Sequence, residues 1–180
     1  MVAPFGRHDK RALRAHRSLD TLRSLRHAGA LASKGMIGRV LSTGSATVTA
    51  DAVAAFAHAL GDRDPLYLDP AAARRGPFGT IVAPPTYPIA FMVQAMAGGM
   101  DTFLELGLDF MTLVHGEQEF EYRRPIRAGE TLTLTGRIAD VYEKPGSSGT
   151  LDFVVLETEA RDAEGAPVFF SRNTLISRRA

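Results

Sequence analysis

The chain contains no cysteine and no tryptophan. Without cysteine there are no disulfides, no thiol nucleophiles and no thiolate metal sites. Long apolar runs are missing too: nothing approaches the ~20 residues that span a bilayer, and the charged N-terminus has no apolar stretch behind it to read as a secretory signal. A cytoplasmic location is the default expectation, with no membrane partner. The five histidines are scattered, none paired at ligand spacing, so no metal is expected. No glycine-rich nucleotide loop follows a strand, and no cofactor is expected.

At 180 residues and 45% hydrophobic content there is room for one domain with a real core. The charge is uneven. Residues 1–35 hold eight Lys/Arg against Asp9 and Asp20, a net of +6, which leaves −5 on the remaining 145 residues. This reads as a basic extension joined to an acidic domain over 36–180, not as one nucleic-acid-binding surface. The extension fits a flexible or docking segment, a start codon placed ahead of Met36, or an Arg-rich targeting peptide.

From Met36 the pattern is ordered. Residues 37–49 read as an extended segment ending at Thr49, a helix N-cap with Asp51 in the first turn. Val53, Phe56, Ala57 and Leu60 recur at helical spacing until Gly61 stops the helix. A polar loop follows through Tyr67, and Asp69-Pro70 opens a short Ala-rich helix. A second helix, from Thr86 to Met96, is apolar almost all round and predicted to be buried, closed by Gly98-Gly99. The remainder is strand: Glu117–Tyr122, Thr131–Val141, Leu151–Glu159 and Val168–Ile176, with turns at Pro145–Gly149 and Gly165. A run of antiparallel strands wrapped around one apolar helix is an α+β layer arrangement, the hotdog architecture.

Three ordered stretches carry a family resemblance. Gly61-Asp62-Arg63-Asp64-Pro65-Leu66-Tyr67 is similar to the G-D-x-N-P-[LIV]-H loop of MaoC-like (R)-specific enoyl-thioester hydratases and dehydratases. Ile81-Val82-Ala83-Pro84-Pro85-Thr86 stands where that family enters its central helix, and Glu119-Phe120 through Arg124-Pro125-Ile126-Arg127-Ala128-Gly129-Glu130-Thr131 resembles its F-x-x-P-V-x-x-G-D strand-turn-strand. The match runs from about Met36 to Arg178 and is nearest the accessory subunits of heterodimeric (3R)-hydroxyacyl-ACP dehydratases.

Hydration of a trans-2-enoyl thioester needs an acid/base pair and a donor to the thioester oxygen. The resemblance implies that Asp62 matches the catalytic Asp, that Asp64 and Pro65 brace the loop, and that Tyr67 replaces the His. A tyrosine titrates near ~10 and is a poor general base at neutral pH. Pro85, or Thr86 after a one-residue shift, stands at the oxyanion position, and proline has no N–H to donate. The expected role is therefore a subunit that shapes the acyl pocket, paired with itself or with a homologous catalytic subunit, and taking acyl-CoA or acyl-ACP. The alternative is a self-sufficient hydratase using Asp62 with Tyr67 or His115; a hotdog acyl-thioester sensor is a lesser one. His115 and Glu117 read as a cleft pair or as a strand entry whose side chains cap the preceding loop, and His58 as a helix surface residue. Met92, Met96 and Met100 read as core or tunnel lining. Arg123, Arg124 and Arg127 form a basic patch for a phosphopantetheine arm, a CoA phosphate or an acidic carrier, or else a solvated strand end.

Overall fold

A computed structural model describes residues 34–97, 106–108 and 111–179, with side chains omitted for 93–97. The basic extension, apart from Lys34 and Gly35, lies outside the described residues, as do Gly98-Gly99 and Met100.

Lys34–Met36 form one 3-10 turn. Strand β1 therefore begins at Val40 and runs to Thr47, not from Met36 as the sequence suggested. Thr49 caps α1 (Ala50–Leu60), its hydroxyl accepting from the Ala52 amide at 3.1 Å. The one-turn α2 (Pro65–Leu68) and α3 (Pro70–Arg75) follow. The apolar helix α4 spans Pro88–Ala97, two residues shorter at its start than predicted, because Thr86 and Tyr87 lie in the turn before Pro88. Then come β2 (Val114–Tyr122), β3 (Thr131–Gly146), β4 (Gly149–Arg161) and β5 (Pro167–Arg179). Each strand outruns its predicted span, since the ladder carries polar residues beyond the hydrophobic alternation that marks its centre. The β3–β4 hairpin closes tightly, with Gly146 paired to Gly149.

The five strands form one antiparallel sheet in the order β1-β3-β4-β5-β2. Its inner face meets α1 and α4: Val53 and Ala57 of α1 are fully buried, and Val53 shares a core with Tyr87, Phe91, Leu132, Val168 and Phe169. Burying a side chain such as Leu132 is worth about 1.5–3 kcal/mol. Tyr87 meets Phe56 and Phe91 edge-on, with centroids 5.3 and 5.4 Å apart, and Phe91 stacks on Phe169 at 6.2 Å. A second core, around Leu106, Ile138, Val141, Val154 and Leu175, fills the opposite end. This is the expected hotdog arrangement. Among the described residues no helix is long and apolar enough to cross a membrane.

Candidate functional site

The loop that resembles the family motif begins at the end of α1. Gly61 adopts the left-handed conformation (φ 73°), which a side chain would disfavour. Its amide donates to His58 O at 3.0 Å, and that of Asp62 donates to Ala57 O at 2.9 Å. This paired C-terminal cap fixes where Asp62 leaves the helix. The Asp62 carboxylate then accepts the Asp64 amide at 2.9 Å, and the Asp64 carboxylate accepts the Leu66 amide at 2.8 Å. With Asp64 as N-cap and Pro65 in the first turn, residues 65–68 close into α2. Tyr67 thus sits on a helical turn, not in the predicted open loop.

Tyr67 is half-buried against the first core and lines a cleft of about 380 Å³ with Phe78, Val82, Pro85, Tyr122 and Ile126. Burial, and then the negative charges of Asp62 and Asp64, push its hydroxyl above the ordinary tyrosine range. It can donate a hydrogen bond, and its ionised form is scarcer at neutral pH than that of a free tyrosine. Pro85 borders the same cleft. Its carbonyl accepts the Tyr122 hydroxyl at 2.6 Å, and burial holds that hydroxyl far above its usual pKa. Thr86 is exposed, and its amide finds no acceptor among the described residues.

The remaining candidates scatter. Arg124 is held by Glu130 (2.8 Å) and Asp162 (3.0 Å) and donates to Pro125 O. Arg123 pairs with Glu121 at 2.8 Å on the surface. Arg127 is exposed, with no side-chain partner among the described residues. His115 and Glu117 lie at the entry of the edge strand β2, flanking a bulge and paired with Leu175 and Thr174 of β5. Tyr122 of the cleft is seven residues along that strand from His115, roughly 20 Å. His58 is exposed on α1. Among the described residues no cluster of His, Asp or Glu could hold a metal.

A second space, which the sequence did not reveal, lies between the sheet and the start of α4. This cavity, of about 150 Å³, is walled by Ile89, Phe91 and Met92 above and by all five strands below. The register lays one rung across its floor: Ser42 opposite Gly136, then Thr158, then Ser171, then Phe120. Gly136 provides close approach, since a Cβ there would stand 2.9 Å from Ser42 Oγ. On the next rung Gln118 pairs with Asn173. Gln118 Nε2 donates to the carbonyls of Glu119 and Arg172, and Asn173 Nδ2 to Met92 Sδ. Both amide oxygens are buried without a partner among the described residues. Small and polar residues at inward positions were the only trace in the sequence, and they mean nothing until the register is known.

Known proteins place this geometry. The family profile described as "FAS1-like, dehydratase domain region" matches residues 35–170. A "UPF0336 protein" of Saccharopolyspora erythraea is 36% identical over 126 residues, covering 68% of this chain and 76% of its own. The fold is shared with the truncated HadBC (3R-hydroxyacyl-ACP dehydratase) complex of Mycobacterium tuberculosis (TM-score 0.60, 21% identity, 74% of this chain and 90% of that one). It is shared as well with the ChsH1-ChsH2 complex of the same organism (TM-score 0.65, 21% identity, 82% and 88%). The profile spans most of the chain: the chain belongs to the FAS1-like dehydratase domain family of MaoC-like hotdog proteins.

Proposed function

We propose that this chain is the non-catalytic, acyl-pocket-shaping subunit of an (R)-specific enoyl-thioester hydratase or (3R)-hydroxyacyl-thioester dehydratase. Its partner would be a homologous hotdog subunit that supplies the Asp, the His and the oxyanion donor. No cofactor is needed, because the substrate arrives as a CoA or ACP thioester. The observation that carries the reading is Tyr67. A base is required at this position, and the environment instead holds a phenol protonated, beside an Asp62 carboxylate that already accepts a backbone amide. Loss of a general base costs ~10²–10⁴ in rate, and loss of an oxyanion donor about 10²–10³ more. Pro85 offers that oxygen a carbonyl in place of an N–H, and the carbonyl is itself bonded to Tyr122. Two fold neighbours solved as two-component complexes support a pair, as does the open edge of β2.

The self-sufficient reading rests on the Thr86 amide, without an acceptor among the described residues, as the oxyanion donor, with Asp62 and Tyr67 as acid and base. Enoyl-CoA hydration, followed as loss of conjugated thioester absorbance, separates the two. The expected result is no turnover by the chain alone, turnover when a MaoC-like subunit retaining Asp and His is added, and full activity of that mixture with Asp62→Ala. Turnover by the isolated chain that Asp62→Ala abolishes would overturn the proposal.

A further inference from the structure

The floor of the cavity beneath α4 is polar at its centre, apolar on one side, and on the other passes from apolar residues to the amides of Asn173 and Gln118. The Ser42-Gly136-Thr158-Ser171 rung is followed on one side by Leu134, Ala160 and Phe169, and on the other by Ile138 and Leu156. Phe91 and Met92 roof it. Among the described residues no group bonds the hydroxyls of Ser42, Thr158 or Ser171, all three of which line the space. The unpartnered amide oxygens of Gln118 and Asn173 lie one rung away. Their orientation is set by the bonds of the amide nitrogens: the two backbone carbonyls held by Gln118 Nε2 leave its oxygen pointing elsewhere.

We infer that this cavity holds an apolar chain carrying a hydroxyl group part-way along, and that the polar rung recognises that hydroxyl. The inference rests on the reading of this chain as the acyl-holding member of a pair. A plain alkyl chain would cover three hydroxyls and strip them of water with nothing in return, a cost that buried polar groups do not bear lightly. Serine and threonine hydroxyls both donate and accept, so a group that satisfies both capacities offers a proton and a lone pair. A hydroxyl does; a carbonyl or an ether does not. A charged substituent is excluded by the lack of a free counter-charge, since the guanidinium of Arg137, at the rim, is held by Glu157 at 2.9 Å. The volume, about 150 Å³, is that of a space that takes a six-carbon ring, so it receives a segment of chain and not a long chain whole.

The test is calorimetric titration of the full chain with decanoyl-CoA and with its monohydroxylated isomers, the hydroxyl stepped along the distal half. One isomer is expected to bind about tenfold tighter than decanoyl-CoA, the worth of one or two net hydrogen bonds. The double variant Thr158→Val/Ser171→Ala should bring the two ligands to within about twofold while still binding decanoyl-CoA. If circular dichroism shows that variant unfolded, Ser171→Ala alone replaces it, and the wild-type isomer series decides in any case. No isomer preferred, no binding at all, or a preference that survives in the folded variant overturns the inference. A reconstituted pair that hydrates enoyl-CoA while showing no hydroxyl preference removes this inference and leaves the proposed function. A preference retained by a chain that turns over alone removes the pairing and leaves the inference.

Discussion

The cleft at Tyr67 and the cavity beneath α4 are built in opposite ways. Around the cleft most polar side chains are already engaged with the scaffold. Asp62 and Asp64 accept amides, Arg124 is clamped between two carboxylates, and Tyr122 ties down Pro85. In the cavity polar groups are left unengaged over apolar walls. A site that performs a reaction keeps its acid and base available to substrate; a site that holds a substrate keeps its space available. On the proposed reading, this chain gives up the first and keeps the second.

The sharpest way to break the contrast is at the wall where the two regions meet. Phe169 is buried, stacks on Phe91, and lies 5.9 Å from the Tyr122 ring that borders the cleft. Phe169→Ala should cost about 3–5 kcal/mol in urea unfolding. A loss under about 1 kcal/mol would show that the wall is not part of the core.

A smaller effect tests whether Arg124 belongs to the scaffold. The hydrogen bond from Arg124 holds the Asp162 carboxyl below the ordinary carboxylate range, helped by the Ala166 amide. A lowered folded-state pKa gives stability that is present above the unfolded value near ~4 and lost as pH falls through the folded value. Arg124→Met should therefore lower Tm at neutral pH and flatten its decline below about pH 4. An unchanged acid limb of the Tm–pH curve would return Arg124 to the pool of carrier-binding residues.

The smallest expected change is the most informative. Tyr67→His restores the residue of the family motif, yet the isolated chain should gain less than about tenfold in enoyl-CoA hydration, because Pro85 still lacks an N–H and Asp62 remains committed. A gain of ~10² or more would mean that one side chain separates the two kinds of site.

Element type and order were legible because hydrophobic period and caps act locally. Thr49, Gly61 and Asp69-Pro70 stop and start helices where their chemistry requires. The departures at Tyr67 and Pro85 were readable because the motif is contiguous. What Asp62 and Asp64 do was not, since a carboxylate that catalyses and one that caps a turn look the same in one dimension. The cavity was hidden for a different reason. Its floor is assembled from residues 42 to 171 by cross-strand register, which alternation along a single strand does not determine.

One absent methyl group governs the size of that floor. Gly136 lies at mid-strand, flanked by Ser42 and Thr158, and its hydrogen is all that fills the gap between them. A lineage needing a narrower channel has an alanine one nucleotide change away, at a position that neither turns the chain nor carries the main core. On the proposed reading, breadth of substrate range in such a subunit is set at this strand position and not by the reactive partner, so descendants could diversify in what they accept while the chemistry they serve stays the same.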